Sequence, residues 1–364
     1  MRSKVPFFVL FTVLLFSRMR PDALSQTPAS TFPAMAWEKA DLKQLGWSEN
    51  KLEEARHFYD ALPPASVFIV NQGRAVAQWG DPALRVKLSS ARKSLLSALY
   101  GIYIRDGLLN LDLTLAELGI DDVPALTQEE KQATVKMVIE ARSGVYHSFV
   151  AGTPAMRAAM PKRGSHPPGS FWYYNNWDFN VLGSIFEQRT HTKIGIAFRD
   201  RIAAPLQMQD FRLEDMYYLR ASSTDDPEGQ SIHPAYHFQL SARDMARFGY
   251  LFLRKGNWDG KQVIPAQWVK ESTTSYSSVG GGGYGYLWWV DGLDLPVRSY
   301  SARGALAKYI VVIPERDLVV VYQNHIGLPD SAQSMSEAEL SKLPTISQAQ
   351  LSTLLKLILS AQRR

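Results

Sequence analysis

The segment Ser90-Ala91-Arg92-Lys93 places an amine three residues after a hydroxyl, at the start of an apolar helical pattern. Side chains at this spacing lie on the same face of a helix, so the two groups can approach each other. The free N–H groups and the dipole of a helix N-terminus favour negative charge on the serine oxygen. A lysine held away from water has a lowered pKa and can accept the hydroxyl proton. The pair therefore has the chemistry of a nucleophile and its base.

The same spacing occurs in Ser48-Glu49-Asn50-Lys51, so Ser-x-x-Lys alone does not identify a nucleophile. Ser48 lies directly before a helical pattern of apolar residues, which is the usual place of an N-cap serine. We therefore interpret Ser48 as a helix cap and Lys51 as a solvated charge. The assignment of Ser90 has to rest on further motifs.

The cysteine and histidine content of the chain excludes several kinds of site. The chain has no cysteine, which excludes disulfides, thiolate metal sites and thiol catalysis. His233 and His237 have the four-residue spacing of a helical metal pair, but Pro234 lies between them and no acidic partner follows nearby. We interpret them as loop histidines and expect no metal site.

A second segment, polar and aromatic, makes the pattern more specific. Its sequence is Pro168-Gly169-Ser170-Phe171-Trp172-Tyr173-Tyr174-Asn175-Asn176, and Val181-Leu182-Gly183 then opens another apolar helix. With Ser-x-x-Lys, it resembles the serine β-lactamase and penicillin-binding-protein superfamily. The similarity is greatest to the class C-like branch, which holds esterases, D-amino-acid peptidases and 6-aminohexanoate-dimer hydrolases. That branch carries Pro-Gly-x-x-aromatic-x-Tyr-x-Asn followed by Leu-Gly, and Tyr174 and Asn176 fall in this register.

The resemblance implies a role for each matched residue. Ser90 is the expected nucleophile, and Lys93 and Tyr174 share the task of general base, the phenol being kept partly ionised by nearby cations. Asn176 is expected to orient Lys93 and the substrate amide. The backbone N–H groups of Ser90 and Ala305 form the implied oxyanion hole. Water then hydrolyses the acyl-enzyme, and no cofactor is needed.

The third motif of the superfamily, Lys/His-Thr/Ser-Gly on an edge strand, is altered. Ala302-Arg303-Gly304 stands in its place, and Ala302 cannot bind a substrate carboxylate. The Ala-x-Gly version is similar to that of the aminohexanoate-hydrolase-like branch, so an esterase or amidase fits better than a β-lactamase. Arg303 or Lys308 is a candidate cation near the site, against the alternative that each is a solvated surface charge.

Other residues are candidates for the edge of a substrate cleft. Tyr146 and His147 follow Ser143-Gly144, where this branch often places such a residue. Trp288, the first of two adjacent tryptophans, and Gly304 are further candidates for substrate binding. The alternative for the tryptophans is packing within a strand.

The pattern of elements predicts an α+β fold of the β-lactamase-like type. Strands are expected over 66–70, 75–79, 286–290, 309–313 and 318–322, and helices after Ser48, over 91–105 and at the carboxyl end. An antiparallel sheet built from both chain ends, with the terminal helices packed on it, would surround an inserted and mostly helical region. We expect one domain over 48–364, with its sheet part at about 48–88 and 284–364 and its helical part at about 89–283.

The amino-terminal residues have the pattern of an export signal. Arg2 and Lys4 precede an apolar run from Val5 to Phe16, which suits a signal peptide and is short for a membrane span. We expect a signal peptide over 1–25, a linker over 26–47 and a periplasmic or secreted protein. Retention of the leader as a membrane anchor stays open.

These observations predict a serine hydrolase that acts on an ester, amide or short peptide through an acyl-enzyme. A penicillin-binding DD-peptidase or β-lactamase is one alternative. A non-catalytic module of the same fold that binds peptidoglycan or a protein partner is another, and a membrane-tethered scaffold is a third. The net charge of +5 without a long Lys/Arg run argues against nucleic-acid binding. The sequence does not indicate the oligomeric state.

Overall fold

The computed structural model describes residues 31–221, 231–326 and 342–363, together with residues 1 and 339. The described helices and strands lie in one compact unit that begins at Thr31. The helices are α1 (Glu49–Asp60), α2 (Arg92–Arg105), α3 (Val135–Ile139), α4 (Pro154–Ala158), α5 (Asn176–Thr190), α6 (Ile194–Phe198), α7 (Ala242–Leu253), α8 (Ala266–Ser272) and α9 (Gln348–Ala361).

An antiparallel sheet of eight strands dominates the described part of the chain. The strands of the protein are β1 (Ala65–Asn71), β2 (Arg74–Trp79), β3 (Val86–Lys87), β4 (Met216–Leu219), β5 (Ala235–Leu240), β6 (Asn257–Trp258), β7 (Lys261–Gln262), β8 (Ser277–Val279), β9 (Gly282–Tyr284), β10 (Trp289–Asp291), β11 (Tyr300–Gly304), β12 (Lys308–Ile313) and β13 (Leu318–Asn324). The order in the main sheet is β2-β1-β13-β12-β11-β10-β9-β8. Strands from the two ends of the chain are therefore neighbours, which confirms the predicted α+β arrangement.

Every residue of β1 and β13 is buried because helices cover both faces of the sheet. Phe68 and Val70 of β1 belong to the larger core, which also contains α2, α5 and α7. Val67 and Ile69, which point to the opposite face, belong to a second core with α1 and α9. Strands buried on both faces have continuous apolar runs, as these two do.

The middle of the chain differs from the mainly helical prediction. It contains β4 and β5, which form a separate sheet with β3 in the order β3-β5-β4, and β8 and β9 of the main sheet begin before the predicted boundary at residue 284. His237 lies on β5, so its interpretation as a loop residue was wrong. The strand is short and almost wholly buried, and it therefore lacks the alternation that marks a half-exposed strand.

The predicted amino-terminal boundary also differs from the structure. Trp47, placed in the expected linker, is buried, and its indole nitrogen donates to Asn71 Oδ1 at 3.0 Å. The buried guanidinium of Arg247 donates to the carbonyls of Pro33 and Ala34. These contacts attach residues from Pro33 onward to the domain. The predicted signal peptide lies outside the described residues apart from Met1, and export stays a prediction.

Helix α2 is the element on which the candidate nucleophile and its lysine depend. All of its residues from Arg92 to Tyr103 are buried. Tyr100 donates its hydroxyl to the Leu182 carbonyl of α5 at 2.8 Å, and Ser94 donates to the Leu287 carbonyl at 2.7 Å. A Cβ at Gly101 would lie 2.3 Å from the Trp268 ring of α8, so the glycine permits this close packing. The helix is thus fixed on several sides.

Candidate active site

Ser90 lies in a single 3-10 turn, Ser89–Ala91, that leads directly into α2. Ser89 has a φ of 51°, in the left-handed region that serine seldom adopts. Arg92 Nη1 donates to the Ser89 carbonyl at 2.9 Å, and the backbone N–H of Ala91 donates to Leu88 O at 3.1 Å. These bonds hold the turn, and the half-buried Ser90 side chain is presented at its centre.

Lys93 brings together the four residues predicted to be catalytic. Its side chain is 2% exposed, and Nζ lies 3.0 Å from Ser90 Oγ. Nζ is also 2.7 Å from the Tyr174 hydroxyl and 3.0 Å from Asn176 Oδ1. The serine, amine, phenol and amide therefore form one connected hydrogen-bonded group.

The start of α5 orients Asn176. Its Nδ2 donates to the Ala151 carbonyl at 2.9 Å, which leaves Oδ1 directed at Lys93. The preceding residue, Asn175, caps the helix by accepting from the backbone N–H of Trp177 at 3.1 Å. Asn175 Nδ2 also donates to the Val145 carbonyl at 2.7 Å. Sequence analysis did not single out Asn175, although an asparagine at the start of an apolar helix is a recognisable cap signal.

Burial sets the protonation of the two central groups. Desolvation lowers the pKa of Lys93 well below its usual value, and the neighbouring Arg92 lowers it further. Desolvation raises the pKa of Tyr174 to about 12, although Ser90 and Arg92 partly oppose this. Burial therefore favours the neutral form of both the amine and the phenol. The prediction of a partly ionised phenol was wrong because burial outweighs the attraction of the nearby cations.

A neutral Lys93 matches the partners around it. An uncharged amine has two hydrogens and one lone pair, whereas an ammonium has three hydrogens and no lone pair. Asn176 Oδ1 can only accept, and the phenol oxygen can accept the second hydrogen. The lone pair is then free to accept the hydrogen of Ser90, which is the arrangement that a general base needs.

Strand β11 ends against the turn that carries Ser90. A Cβ at Gly304 would lie 2.2 Å from the Leu88 carbonyl oxygen and 3.2 Å from the Ala91 nitrogen, so only glycine allows this approach. Ala305, which follows at the exposed end of the strand, is the residue whose backbone N–H was predicted to share an oxyanion hole with that of Ser90. The two donors therefore belong to chain segments that meet at this point.

Aromatic side chains surround Tyr174. The Trp289 ring stacks on it, with centroids 5.5 Å apart and planes inclined by 29°, and Phe179 lies 4.8 Å away. The half-buried Trp172 ring is 6.2 Å from that of Trp289. The Arg303 guanidinium lies 5.1 Å from the centroid of Trp289. These rings form an apolar wall beside the reactive group.

Three of the predicted cleft residues are placed away from the surface. Trp288 is fully buried and packs on Phe252 of α7, with ring centroids 4.5 Å apart, so the packing alternative applies to it. Trp289, the first residue of β10, is the one that lies beside Tyr174. Tyr146 and His147 are each 3% exposed. His147 Nε2 donates to the Pro124 carbonyl at 2.9 Å, which gives it a structural contact.

The two candidate cations are not solvated surface charges, contrary to the alternative considered for them. Arg303 is half-buried and donates to Ser301 Oγ at 2.8 Å and to the Asp291 carbonyl. Desolvation lowers its pKa to about 10. Lys308 is fully buried, and desolvation lowers its pKa to about 7. Ala302, in the position of the basic residue of the third motif, is fully buried as well.

The second Ser-x-x-Lys segment behaves as predicted. Ser48 is the N-cap of α1 and accepts from the backbone N–H of Lys51, whose side chain is exposed.

Within the described ranges, no group of three or more histidine, cysteine or acidic side chains could hold a metal ion. No described helix has the length and apolar character needed to cross a membrane.

Solved structures with the same fold support the assignment of the architecture. A candidate 6-aminohexanoate-dimer hydrolase of Bacillus anthracis aligns with a TM-score of 0.59 at 18% identity, over 84% of this chain and 86% of its own. An octameric penicillin-binding protein homologue of Pyrococcus abyssi aligns with a TM-score of 0.57 at 22% identity, over 80% of this chain and 75% of its own.

Sequence comparison covers the same region. An uncharacterized protein of Alkalihalophilus pseudofirmus is 27% identical in an alignment of 308 positions that covers 75% of this chain and 87% of that protein. The family model described as Beta-lactamase matches residues 50–340, which include both matched motifs and Gly304. This chain therefore belongs to the β-lactamase family, within the superfamily of serine β-lactamases and penicillin-binding proteins.

Proposed function

We propose that this chain is a serine hydrolase that cleaves an ester or amide bond of a small substrate through an acyl-enzyme on Ser90. The observation that carries the proposal is the contact at 3.0 Å between Ser90 Oγ and the amine of Lys93, whose pKa is lowered by burial. A nucleophile is activated when a base with a suitable pKa lies within hydrogen-bond reach of it. The remaining members of the group supply the proton path.

In acylation, Lys93 accepts the hydroxyl proton as Ser90 Oγ forms a bond to the carbonyl carbon. The carbonyl oxygen becomes an oxyanion, which the backbone N–H groups of Ser90 and Ala305 stabilise. Collapse of this intermediate breaks the bond to the leaving group. Tyr174 gives its proton to the leaving group and recovers one from Lys93 Nζ, 2.7 Å away, which returns both side chains to their neutral forms.

In deacylation, a water molecule replaces the leaving group. Tyr174 passes the proton of this water to Lys93 as the water oxygen bonds to the acyl carbon. Collapse of the second intermediate breaks the bond to Ser90 Oγ, which recovers its proton from Lys93 and releases the acid. Each proton is returned within the cycle, so the chemistry needs no cofactor.

The surroundings of the site favour an ester or amide without a carboxylate near the reacting bond. Ala302 offers no charge, and the guanidinium of Arg303 already donates to Ser301 and Asp291. The half-buried rings of Trp172 and Trp289 offer apolar surface beside Tyr174. This combination supports the esterase or amidase assignment over the DD-peptidase or β-lactamase alternative.

Turnover by serine variants tests the proposal. Ser90→Ala should abolish hydrolysis of p-nitrophenyl acetate above the rate of the free ester, because the other hydroxyl on Lys93 among the described contacts, that of Tyr174, belongs to the proposed proton path. Ser48→Ala is the matched control, since it removes the serine of the other Ser-x-x-Lys segment and should leave turnover intact. Full activity of the Ser90 variant would overturn the assignment, and an inactive but folded wild type would favour the binding-module alternative.

A further inference from the structure

The turn that joins β11 to β12 has an unusual backbone for its sequence. Leu306 and Ala307 both have φ values of 55°, although neither is glycine. Two consecutive non-glycine residues in the left-handed region cost about 1 kcal/mol or more each, so the surrounding contacts must hold them there. The turn begins at Ala305, the proposed second donor of the oxyanion hole.

The side chain of Lys308 supplies one of these contacts. Its Nζ donates to the Leu306 carbonyl at 3.0 Å and to the carbonyl of Ile326, which follows β13. The backbone N–H of Asn324 donates to the Ala307 carbonyl at 3.1 Å. The turn is therefore attached to the chain after β13 at two successive carbonyls.

Lys308 is unusual because it is fully buried and makes no ion pair with a carboxylate in the described part of the chain. Burial of an amine carries a desolvation cost that an apolar side chain would avoid. Backbone carbonyls take its hydrogens, and a neutral amine and an ammonium both have enough hydrogens for two acceptors. The contact therefore does not depend on the charge of the side chain.

Lys308 also lies next to Gly304, the residue at which β11 meets the Ser90 turn. It pairs with Gly304 across β11 and β12, and a Cβ at Gly304 would lie 3.1 Å from Lys308 Cβ. The same Cβ would lie against Leu88 and Ala91, so Gly304, Lys308 and the Ser90 turn pack closely at this point. A shift of the turn would thus move the Ala305 N–H relative to Ser90, and oxyanion stabilisation is sensitive to the position of its donors.

We propose that Lys308 is a positioning residue that fixes the turn 305–307 and thereby holds the Ala305 N–H in place for the oxyanion. The proposal rests on the proposed function, because it concerns the same reaction at Ser90. Lys308 does not touch the reacting atoms. It acts through the carbonyl of Leu306, the residue next to the donor.

The test compares Lys308→Met, which keeps the apolar stem and loses Nζ, with Lys308→Gln, which keeps a side-chain donor. Lys356→Met is the control, because Lys356 is an exposed lysine of α9 that pairs with Asp294. For each protein, kcat and KM for p-nitrophenyl acetate and the inhibition constant of phenylboronic acid are measured. The boronate forms a tetrahedral adduct on serine, so it reports on the oxyanion site.

The Met variant should lose about 10-fold in kcat. This is less than the loss of about 10²–10³-fold that follows removal of a whole oxyanion-hole donor. Its boronate affinity should fall in parallel while KM changes little, and the Gln variant should recover part of the loss. A purely packing role would lower the melting temperature without this split between kcat and KM.

Unchanged kcat and boronate affinity in Lys308→Met would overturn the positioning role while the hydrolase assignment stands. A change confined to KM would overturn it as well. A failure of the proposed function looks different, because the wild-type protein would then neither turn over the ester nor react with a fluorophosphonate at Ser90.

Discussion

At the scale of single residues, the proposed chemistry depends on a lysine whose amine is readily deprotonated. Lys93 has an amine within 3.0 Å of three oxygen atoms, and burial together with Arg92 favours its neutral form. The adjacent Tyr174 is held neutral by the same burial. Burial thus favours the uncharged form of both the amine and the phenol, and their contact at 2.7 Å is short enough for a proton to pass between them.

This account predicts the acid limb of the pH profile. Lys93 acts as a base only after it loses its proton, so kcat/KM should rise with pH through the lowered pKa of Lys93 and level off above it. Arg92→Gln removes the neighbouring cation, which raises the pKa of Lys93 and should move the limb to higher pH.

Lys93→Arg should lower kcat/KM by about 10²–10⁴-fold because an arginine does not lose its proton.

The control is Arg298→Gln, since the Arg298 side chain is 82% exposed and its loss should not alter the profile. An Arg92→Gln protein with an unchanged limb would show that another group governs it. The measurement is kcat/KM for p-nitrophenyl acetate across the pH range in which the protein stays folded.

The sequence identifies the reactive residues better than the residues around them. Ser90, Lys93, Tyr174 and Asn176 belong to contiguous motifs with fixed spacing, and the structure brings all of them together. Trp289 and Lys308 carry no such signal, because their positions depend on strand register and on contacts distant in sequence. The assignment of Trp288 to the cleft failed for this reason, since the predicted strand 286–290 is broken at Leu287, where φ is 63°, and β10 begins only at Trp289.

At the scale of elements, two helix starts and one strand end assemble the site. The 3-10 turn before α2 carries Ser90, the first residue of α5 is Asn176, and β11 meets the turn at Gly304. Each of these places is the end of an element, where backbone N–H or carbonyl groups have no partner within the element and can bind a cap or a substrate. Strand β5, which lies in the region predicted to be helical, also helps to hold the Ser90 turn, because Phe238 O accepts from the Leu88 N–H at 2.9 Å.

The cap of α5 gives a prediction at this scale. Asn175→Ala removes the helix cap and the contact with Val145, so the free energy of unfolding should fall by about 1–2 kcal/mol. The start of α5 should also loosen, which moves Asn176 and lowers kcat. Ser347→Ala removes the cap of α9 and should cost similar stability without affecting kcat, because α9 lies on the opposite side of the sheet.

Urea unfolding and steady-state kinetics of the two variants measure these effects. Equal loss of kcat in both proteins would mean that activity follows global stability alone. Retention of full kcat in Asn175→Ala would show that the cap does not position Asn176.

At the scale of the whole molecule, both ends of the chain meet in one sheet and bring the third motif to the first. Gly304 is far in sequence from the Ser90 turn, and it packs against Leu88 and Ala91 of that segment because β1 pairs with β13 and β11 lies two strands away. Apolar runs and turn signals predict β1 and β13. They do not predict β11, whose sequence has no apolar run, nor the short strands β3, β4 and β8, which are too brief to carry a period. The extent of the amino-terminal packing was also missed, because the contacts of Arg247 with backbone carbonyls depend on no side-chain pattern.

The most direct test of the central claim is the intact mass of the folded protein after exposure to a fluorophosphonate, with peptide mapping of the adduct. The account predicts one adduct per chain, located on Ser90, and none on Ser48. Absence of an adduct from well-folded protein, or an adduct on a different residue, would contradict the assignment of Ser90 as an activated nucleophile.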